Sequence, residues 1–109
     1  MRALASGNPT LVVAAASELE RLSLADALAV TLVFLPGDGD RFARASVRWH
    51  ARWCIEARPR PDEAGLALAA LRALPGSARQ AAAEALIELL EARGHDDAAQ
   101  VLTRWVGGS

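Results

Sequence analysis

Arginine and aromatic side chains separate onto different sides of one predicted helix, which spans Asp40 to Ala57. Because an α-helix has 3.6 residues per turn, residues three and four positions apart share a face. Four arginines follow this spacing and form what we call the arginine stripe: Arg41, Arg44, Arg48 and Arg52. Phe42, Trp49 and Trp53 lie about a quarter-turn from the stripe. The segment therefore predicts an amphipathic helix whose aromatic side chains face a core and whose guanidinium groups face water.

Cap residues and helix breakers predict six helices, and no segment shows the alternating pattern of a strand. Ser23 with Asp26, and Ser77 with Gln80, have the spacing of N-terminal capping boxes. Pro-Gly pairs end the second and fourth helices. The predicted helices are Pro9–Glu20, Leu24–Leu35, Asp40–Ala57, Pro61–Leu74, Ser77–Gly94 and Asp96–Trp105.

The connections between these helices are short, so consecutive helices are expected to pack antiparallel. We predict an all-α fold, a compact antiparallel bundle of about six short helices arranged as three helical hairpins. The hairpins would begin near Pro9, Asp40 and Ser77, and this spacing also fits helical-repeat-like stacking. One domain is expected over residues 1–106, followed by a flexible C-terminal tail, Gly-Gly-Ser, over residues 107–109.

The second and fourth predicted helices carry few polar residues, so we expect them at the centre of the bundle. Only Asp26 and Thr31 are polar in the second helix, and only Arg72 is polar between Gly65 and Leu74. Alanine is abundant but buries little area, so larger side chains must supply most of the hydrophobic free energy, at roughly 25 cal/mol per Å². The predicted core includes Leu28, Leu32, Leu35, Trp49, Leu71, Leu86 and Leu90.

Composition limits the classes of function. All 12 basic residues are arginine, yet the net charge is −1, which argues against a protein that mainly binds the phosphate backbone. Enrichment in alanine and arginine is typical of bacterial genomes with high GC content. Cys54 is the single cysteine, so no intramolecular disulfide can form and a cytoplasmic location is expected. The longest apolar run, Ala27 to Leu35, is shorter than the roughly 20 residues that span a bilayer, so no membrane partner is expected.

His50 and Cys54 are the most chemically suggestive pair, because a spacing of one helical turn lets two side chains share a metal or lets a histidine activate a thiol. Two ligands do not complete a zinc site, however, and no known catalytic or phosphate-binding motif is present in the sequence. We therefore expect a neutral, hydrogen-bonded core histidine and a small apolar cysteine, and predict no catalytic residue, metal or cofactor. An enzymatic or small-ligand site at this pair is an alternative.

The predicted function is a small non-catalytic module for protein–protein interaction. Its partner surface is expected on the third predicted helix, because arginine and tryptophan are enriched among interface hot spots. The predicted partner-binding residues are Arg41, Arg44, Arg48, Arg52, Trp49 and Trp53. One alternative is that the arginine stripe is only a solvated helix face, whose arginines pair with residues such as Asp40 and Glu56. Another is a nucleic-acid-binding helical domain that uses the arginine stripe.

Acidic residues on the fifth predicted helix bear on the identity of the partner. Glu84, Glu88 and Glu91 lie along one side of that helix and form what we call the acidic ridge. The ridge can match the arginine stripe within the fold or across a symmetric homodimer, and the spacing alone does not distinguish the two. The partner is therefore predicted to be another protein or a second copy of the chain.

Overall fold

Five α-helices joined by short turns make up the part of the chain that the structure describes. The computed structural model describes residues 22–35 and 37–108. Its helices are α1 (Leu24–Val33), α2 (Gly39–Ala57), α3 (Pro61–Ala73), α4 (Arg79–Ala92) and α5 (Asp96–Gly108). No strand occurs among these residues, and the all-α fold is confirmed. The first predicted helix, Pro9–Glu20, lies outside the described residues.

Side-chain caps begin α1 and α3. The Ser23 hydroxyl accepts a hydrogen bond from the Asp26 backbone N–H at 3.1 Å, as the predicted capping pair requires. At the start of α3, the Glu63 carboxylate accepts from the Arg60 backbone N–H at 2.9 Å. Both bonds satisfy backbone N–H groups that have no partner within the helix at its N-terminus. The local sequence therefore determines where α1 and α3 begin.

The helix α2 begins one residue earlier than predicted and ends where predicted. Its N-cap is Asp38, whose carboxylate accepts from the Arg41 backbone N–H at 3.1 Å. At the other end Arg58 adopts a left-handed conformation with φ of 50°, and its N–H donates to the Cys54 carbonyl at 3.1 Å. The left-handed residue turns the chain sharply toward α3, which fixes the two helices as neighbours.

The predicted capping box at the start of α4 is wrong. The helix begins at Arg79, two residues after Ser77, and it has no side-chain cap. The preceding turn is closed by backbone bonds, such as the one from the Arg79 N–H to the Gly76 carbonyl at 3.3 Å. Gln80 donates instead to Glu84 at 3.2 Å. Because the turn satisfies its own backbone groups, the Ser77 hydroxyl is not needed as a cap.

The turn from α4 to α5 depends on a glycine, and α5 is longer than predicted. Gly94 has a φ of 81°, and the His95 N–H bonds back to the Leu90 carbonyl at 2.8 Å. This is the Schellman arrangement, in which the left-handed position favours glycine. The helix that follows continues to Gly108, three residues beyond the predicted end at Trp105. The first two residues of the predicted tail therefore lie in helix.

The described helices form a closed ring, which corrects the predicted three hairpins. Each helix contacts the next one along the chain, and α1 also contacts α5. In a linear stack of hairpins or repeats each unit touches only its neighbours, so the first and last elements do not meet. Contact between α1 and α5 therefore replaces stacked hairpins with a single bundle over residues 22–35 and 37–108.

The core follows the predicted leucines, but only one of the two helices expected at the centre is enclosed. Most residues of α1 are buried, whereas α3 buries only Ala67, Ala70 and Leu71 and leaves Leu66 half exposed. The central position predicted for α3 is therefore wrong. Its apolar appearance comes largely from alanine and glycine, whose exposure costs little because they carry little apolar area. The predicted core residues that are buried are Leu28, Leu32, Trp49, Leu71, Leu86 and Leu90, while Leu35 is half-buried beyond the end of α1.

Candidate functional site

The inner side of α2 forms the aromatic part of the core. Phe42, Trp49 and Trp53 are at most 3% exposed, which confirms that the aromatic side chains face inward. The two indole rings stack almost in parallel, with centroids 6.2 Å apart and planes 5° apart. This pair packs α2 against the core, so the opposite side of the helix faces outward.

The buried position of Trp49 and Trp53 limits their role in binding. In this conformation neither ring is available for direct contact with a partner. Their assignment to partner binding stays a prediction, and any contact surface on the exposed side of α2 consists of other residues. The sequence pattern could not decide this point, because a boundary tryptophan and a buried one have the same spacing.

The two arginines at the ends of the arginine stripe are paired within the part of the chain that the structure describes, and the two in the middle are not. At one end the Arg41 guanidinium forms an ion pair with Asp38 at 3.1 Å. At the other end Arg52 forms an ion pair with Glu56 and donates to the Leu22 carbonyl. Both of these side chains are partly buried by the contacts of their own chain. The ion pair predicted with Glu56 is thus confirmed. The second predicted partner was Asp40, but the residue that pairs with Arg41 is Asp38.

The two middle arginines remain exposed. Arg44 and Arg48 have no hydrogen bond or ion pair to any residue that the structure describes. The nearest carboxylate on the N-terminal side of the same helix, Asp40, lies one turn before Arg44 but forms no ion pair with it. The centre of α2 therefore presents two cationic side chains to solvent.

Exposed apolar side chains lie beside these arginines, and our sequence analysis missed them. Val47 is 49% exposed and Ile55 is 75% exposed, with the exposed Ala51 between them. The signal in the sequence is a spacing of four residues, but that spacing fits a buried helix face as well as an exposed one. We define the outer face of α2 as the exposed residues from Arg44 to Ile55 that lie within an arc of about 100° on the helix. These residues are Arg44, Val47, Arg48, Ala51 and Ile55.

His50 links α2 to α3. Its Nε2 atom lies 2.7 Å from the Ala64 carbonyl oxygen and donates to it, because a carbonyl can only accept. The ring nitrogens lie 3.7 and 3.8 Å from the Cys54 sulfur. Both side chains are half-buried. The expected hydrogen-bonded histidine is confirmed, and the burial expected for both residues is only partial.

The acidic ridge of α4 is exposed and does not meet the arginine stripe within the fold. Glu84, Glu88 and Glu91 all face solvent. None of them forms an ion pair with a described residue; Glu84 accepts only a hydrogen bond from Gln80. The fold places α3 between α2 and α4 along the ring. Both charged surfaces are therefore left open on one molecule.

Residues 22–35 and 37–108 contain no cluster of metal-binding side chains and no membrane-spanning helix. No three histidine, cysteine, aspartate or glutamate side chains come together there in a way that could hold a metal ion. None of the five helices combines the length and the apolar character that crossing a bilayer requires. The chain matches no protein-family model, no curated protein and no solved structure.

Proposed function

We propose that this chain is a small, non-catalytic helical module that binds a protein partner through the outer face of α2. The observation that carries the proposal is the combination of exposed apolar and cationic side chains on one side of a 19-residue helix. Interfaces between proteins are enriched in arginine and in apolar groups that lose water on binding.

The apolar residues favour a protein partner. Burial of Val47 and Ile55 would stabilise a complex in proportion to the area removed from water, at roughly 25 cal/mol per Å². Arg44 and Arg48 flank that apolar strip and favour a partner that carries carboxylates. Electrostatic complementarity of this kind mainly sets the specificity and the rate of association. The partner surface expected is therefore one that carries carboxylates beside apolar side chains.

Nucleic acid is less well supported by the same face. Arg41 and Arg52 are engaged by their own chain, so only two guanidinium groups of the stripe are open to phosphates. Affinity for a nucleic-acid backbone depends on many neutralised phosphates, and Val47 and Ile55 offer nothing to them. The net charge of −1 also opposes a polyanion.

Binding of a purified partner tests the proposal. The tagged full chain, its R44E/R48E variant and an R72E/R104E variant with the same change in net charge are used to capture proteins. A candidate that the first and third retain and the second loses is then purified and titrated by calorimetry. We expect R44E/R48E to weaken binding at least about tenfold and R72E/R104E to leave it nearly unchanged. Equal affinity of all three for every purified partner would overturn the proposal.

A mobility-shift assay at low salt tests the nucleic-acid alternative. We expect no retardation of duplex DNA or of single-stranded RNA by the wild-type chain at about 50 mM salt, where electrostatic binding is strongest. Retardation that R44E/R48E abolishes and R72E/R104E keeps would assign the outer face to nucleic acid instead.

A further inference from the structure

We infer that the partner of the outer face is a second copy of this chain, whose acidic ridge on α4 packs against α2 in antiparallel orientation. This inference rests on the proposed function, and it names the partner. Self-association was one of two options that the sequence left open, and the fold now supplies the arguments that favour it.

The first argument is that the two charged rows have the same spacing when one is taken in reverse. The arginine stripe taken backwards is Arg52, Arg48, Arg44 and Arg41, with steps of four, four and three residues. Gln80, which precedes the acidic ridge, and the three glutamates of the ridge follow the same steps. Because both segments are helical, two antiparallel helices can place the three glutamates level with three of the arginines: Glu84 with Arg48, Glu88 with Arg44 and Glu91 with Arg41. The fourth arginine, Arg52, lies level with the uncharged Gln80.

The second argument is that small side chains on α4 leave room for a second helix. Ala81 is exposed and Ala85 is half-buried, and both lie beside the acidic ridge. Because alanine lets a neighbouring helix approach closely, the two charged rows can come within ion-pair distance.

The third argument is that both rows are available. Arg44 and Arg48 on one side, and Glu88 and Glu91 on the other, have no polar partner among the described residues. Within one molecule α3 separates the two helices in the ring, so the complementary rows are not satisfied by each other. Contact between copies pairs them without any rearrangement of the fold.

Charge exchange between two variants gives a direct test. R44E/R48E makes the two middle positions of the arginine stripe acidic, and E84R/E88R makes the two positions of the acidic ridge that face them basic. We expect the wild-type full chain to self-associate in sedimentation and light-scattering measurements, more weakly as salt is raised from about 50 to about 500 mM. Each variant alone should self-associate at least about 100-fold more weakly, because like charges would face each other. Equimolar mixing of the two should restore assembly, since every contact is again between opposite charges.

Controls separate the possible outcomes. R72E/R104E carries the same change in net charge as R44E/R48E and should keep the association of the wild type. Restoration on mixing also shows that both variants fold, and helical circular dichroism of each provides an independent check. A wild-type chain that stays monomeric at about 0.5 mM and low salt, or variants that stay helical but do not assemble on mixing, would overturn self-association. That outcome would not contradict the proposed function, which is tested independently by the binding of a different purified protein to the outer face.

Discussion

Two tryptophans one turn apart in α2 have similar burial but different surroundings for their N–H groups. The Trp49 Nε1 group donates to the Leu24 carbonyl at 2.9 Å and so ties α2 to the start of α1. The Trp53 Nε1 group is buried and has no hydrogen-bond acceptor among the described residues. A buried donor without a partner costs free energy, so Trp53 stabilises the fold through its packed ring and not through its polar atom.

Replacement of each tryptophan by phenylalanine measures that difference. Both changes remove similar volume from the core, but Trp49→Phe also removes a hydrogen bond, whereas Trp53→Phe removes an unpaired donor. We expect Trp49→Phe to lower the free energy of unfolding by about 1 kcal/mol more than Trp53→Phe does. Urea denaturation followed by circular dichroism measures both values. A larger loss for Trp53→Phe would contradict this account.

Arg93 joins three elements through one guanidinium group. It donates to the carbonyl oxygens of Ala57 and Arg58, and it lies 3.4 Å from the carboxylate of Glu63. The side chain thus satisfies carbonyl groups at the end of α2 and connects α4 to the start of α3. Such multiple donation from a single planar group is particular to arginine.

We expect Arg93→Ala to lower the free energy of unfolding by about 2 kcal/mol, because charged hydrogen bonds to the backbone are lost. Arg93→Lys should recover only part of this loss, since one ammonium group cannot reach all three acceptors. Arg104→Ala is the control, because Arg104 is exposed and bonds only to Gln100 among the described residues. Chemical denaturation of the three variants gives the comparison, and equal effects of Arg93→Ala and Arg104→Ala would refute it.

At the scale of the helix, two turns depend on a left-handed residue, and only one of them uses glycine. Gly94 has a φ of 81° and Arg58 has a φ of 50°. A side chain in this region is disfavoured by contact between its Cβ atom and the backbone. The end of α4 is therefore well matched to its sequence, whereas the end of α2 is strained.

Exchange of the residue type at these two positions should have opposite effects. Arg58→Gly should raise the free energy of unfolding by about 0.5 to 1 kcal/mol, since it removes the strain and keeps the carbonyl that Arg93 contacts. Gly94→Ala should lower it by about 1 kcal/mol. Thermal melts of both variants test this, and destabilisation by Arg58→Gly would show that its side chain contributes more than the strain costs.

Sequence reasoning succeeded where periodicity and local caps decide the structure. The arginine and tryptophan spacing of α2 predicted a helix with its aromatics inward, and Ser23 marked the start of α1. It failed at α3, because alanine and glycine tolerate exposure as readily as burial, so their pattern does not show which side is covered. It also missed Val47 and Ile55, since exposure of an apolar residue depends on which helices lie nearby, and that is a tertiary property.

At the scale of the whole molecule, α1 contacts α5 and so closes the ring of helices. We therefore expect the five helices to unfold together. Leu102 is fully buried, and Ala98 and Ala99 of the same helix are at most 1% exposed. The last helix therefore covers the core on the side where the ring closes. In a linear repeat the last element would contribute only its own interface.

Removal of α5 tests whether the ring is cooperative. A chain that ends at Gly94 should lose most of its helical circular dichroism and its sharp unfolding transition, because α1 and α4 each lose a neighbour. A chain that lacks only residues 107–109 should keep both, since Gly107 and Gly108 are exposed. Retention of a sharp transition by the shorter chain would show that α1–α4 are stable without closure.

The stacked indoles of Trp49 and Trp53 give the protein a built-in optical reporter. Two near-parallel chromophores at a centroid separation of 6.2 Å share their excited states when their transition dipoles interact. That coupling depends on the geometry in which α2 holds the two rings, so we expect it to disappear when the chain unfolds. Folding of the unlabelled chain can therefore be followed by a spectroscopic signature of its own core.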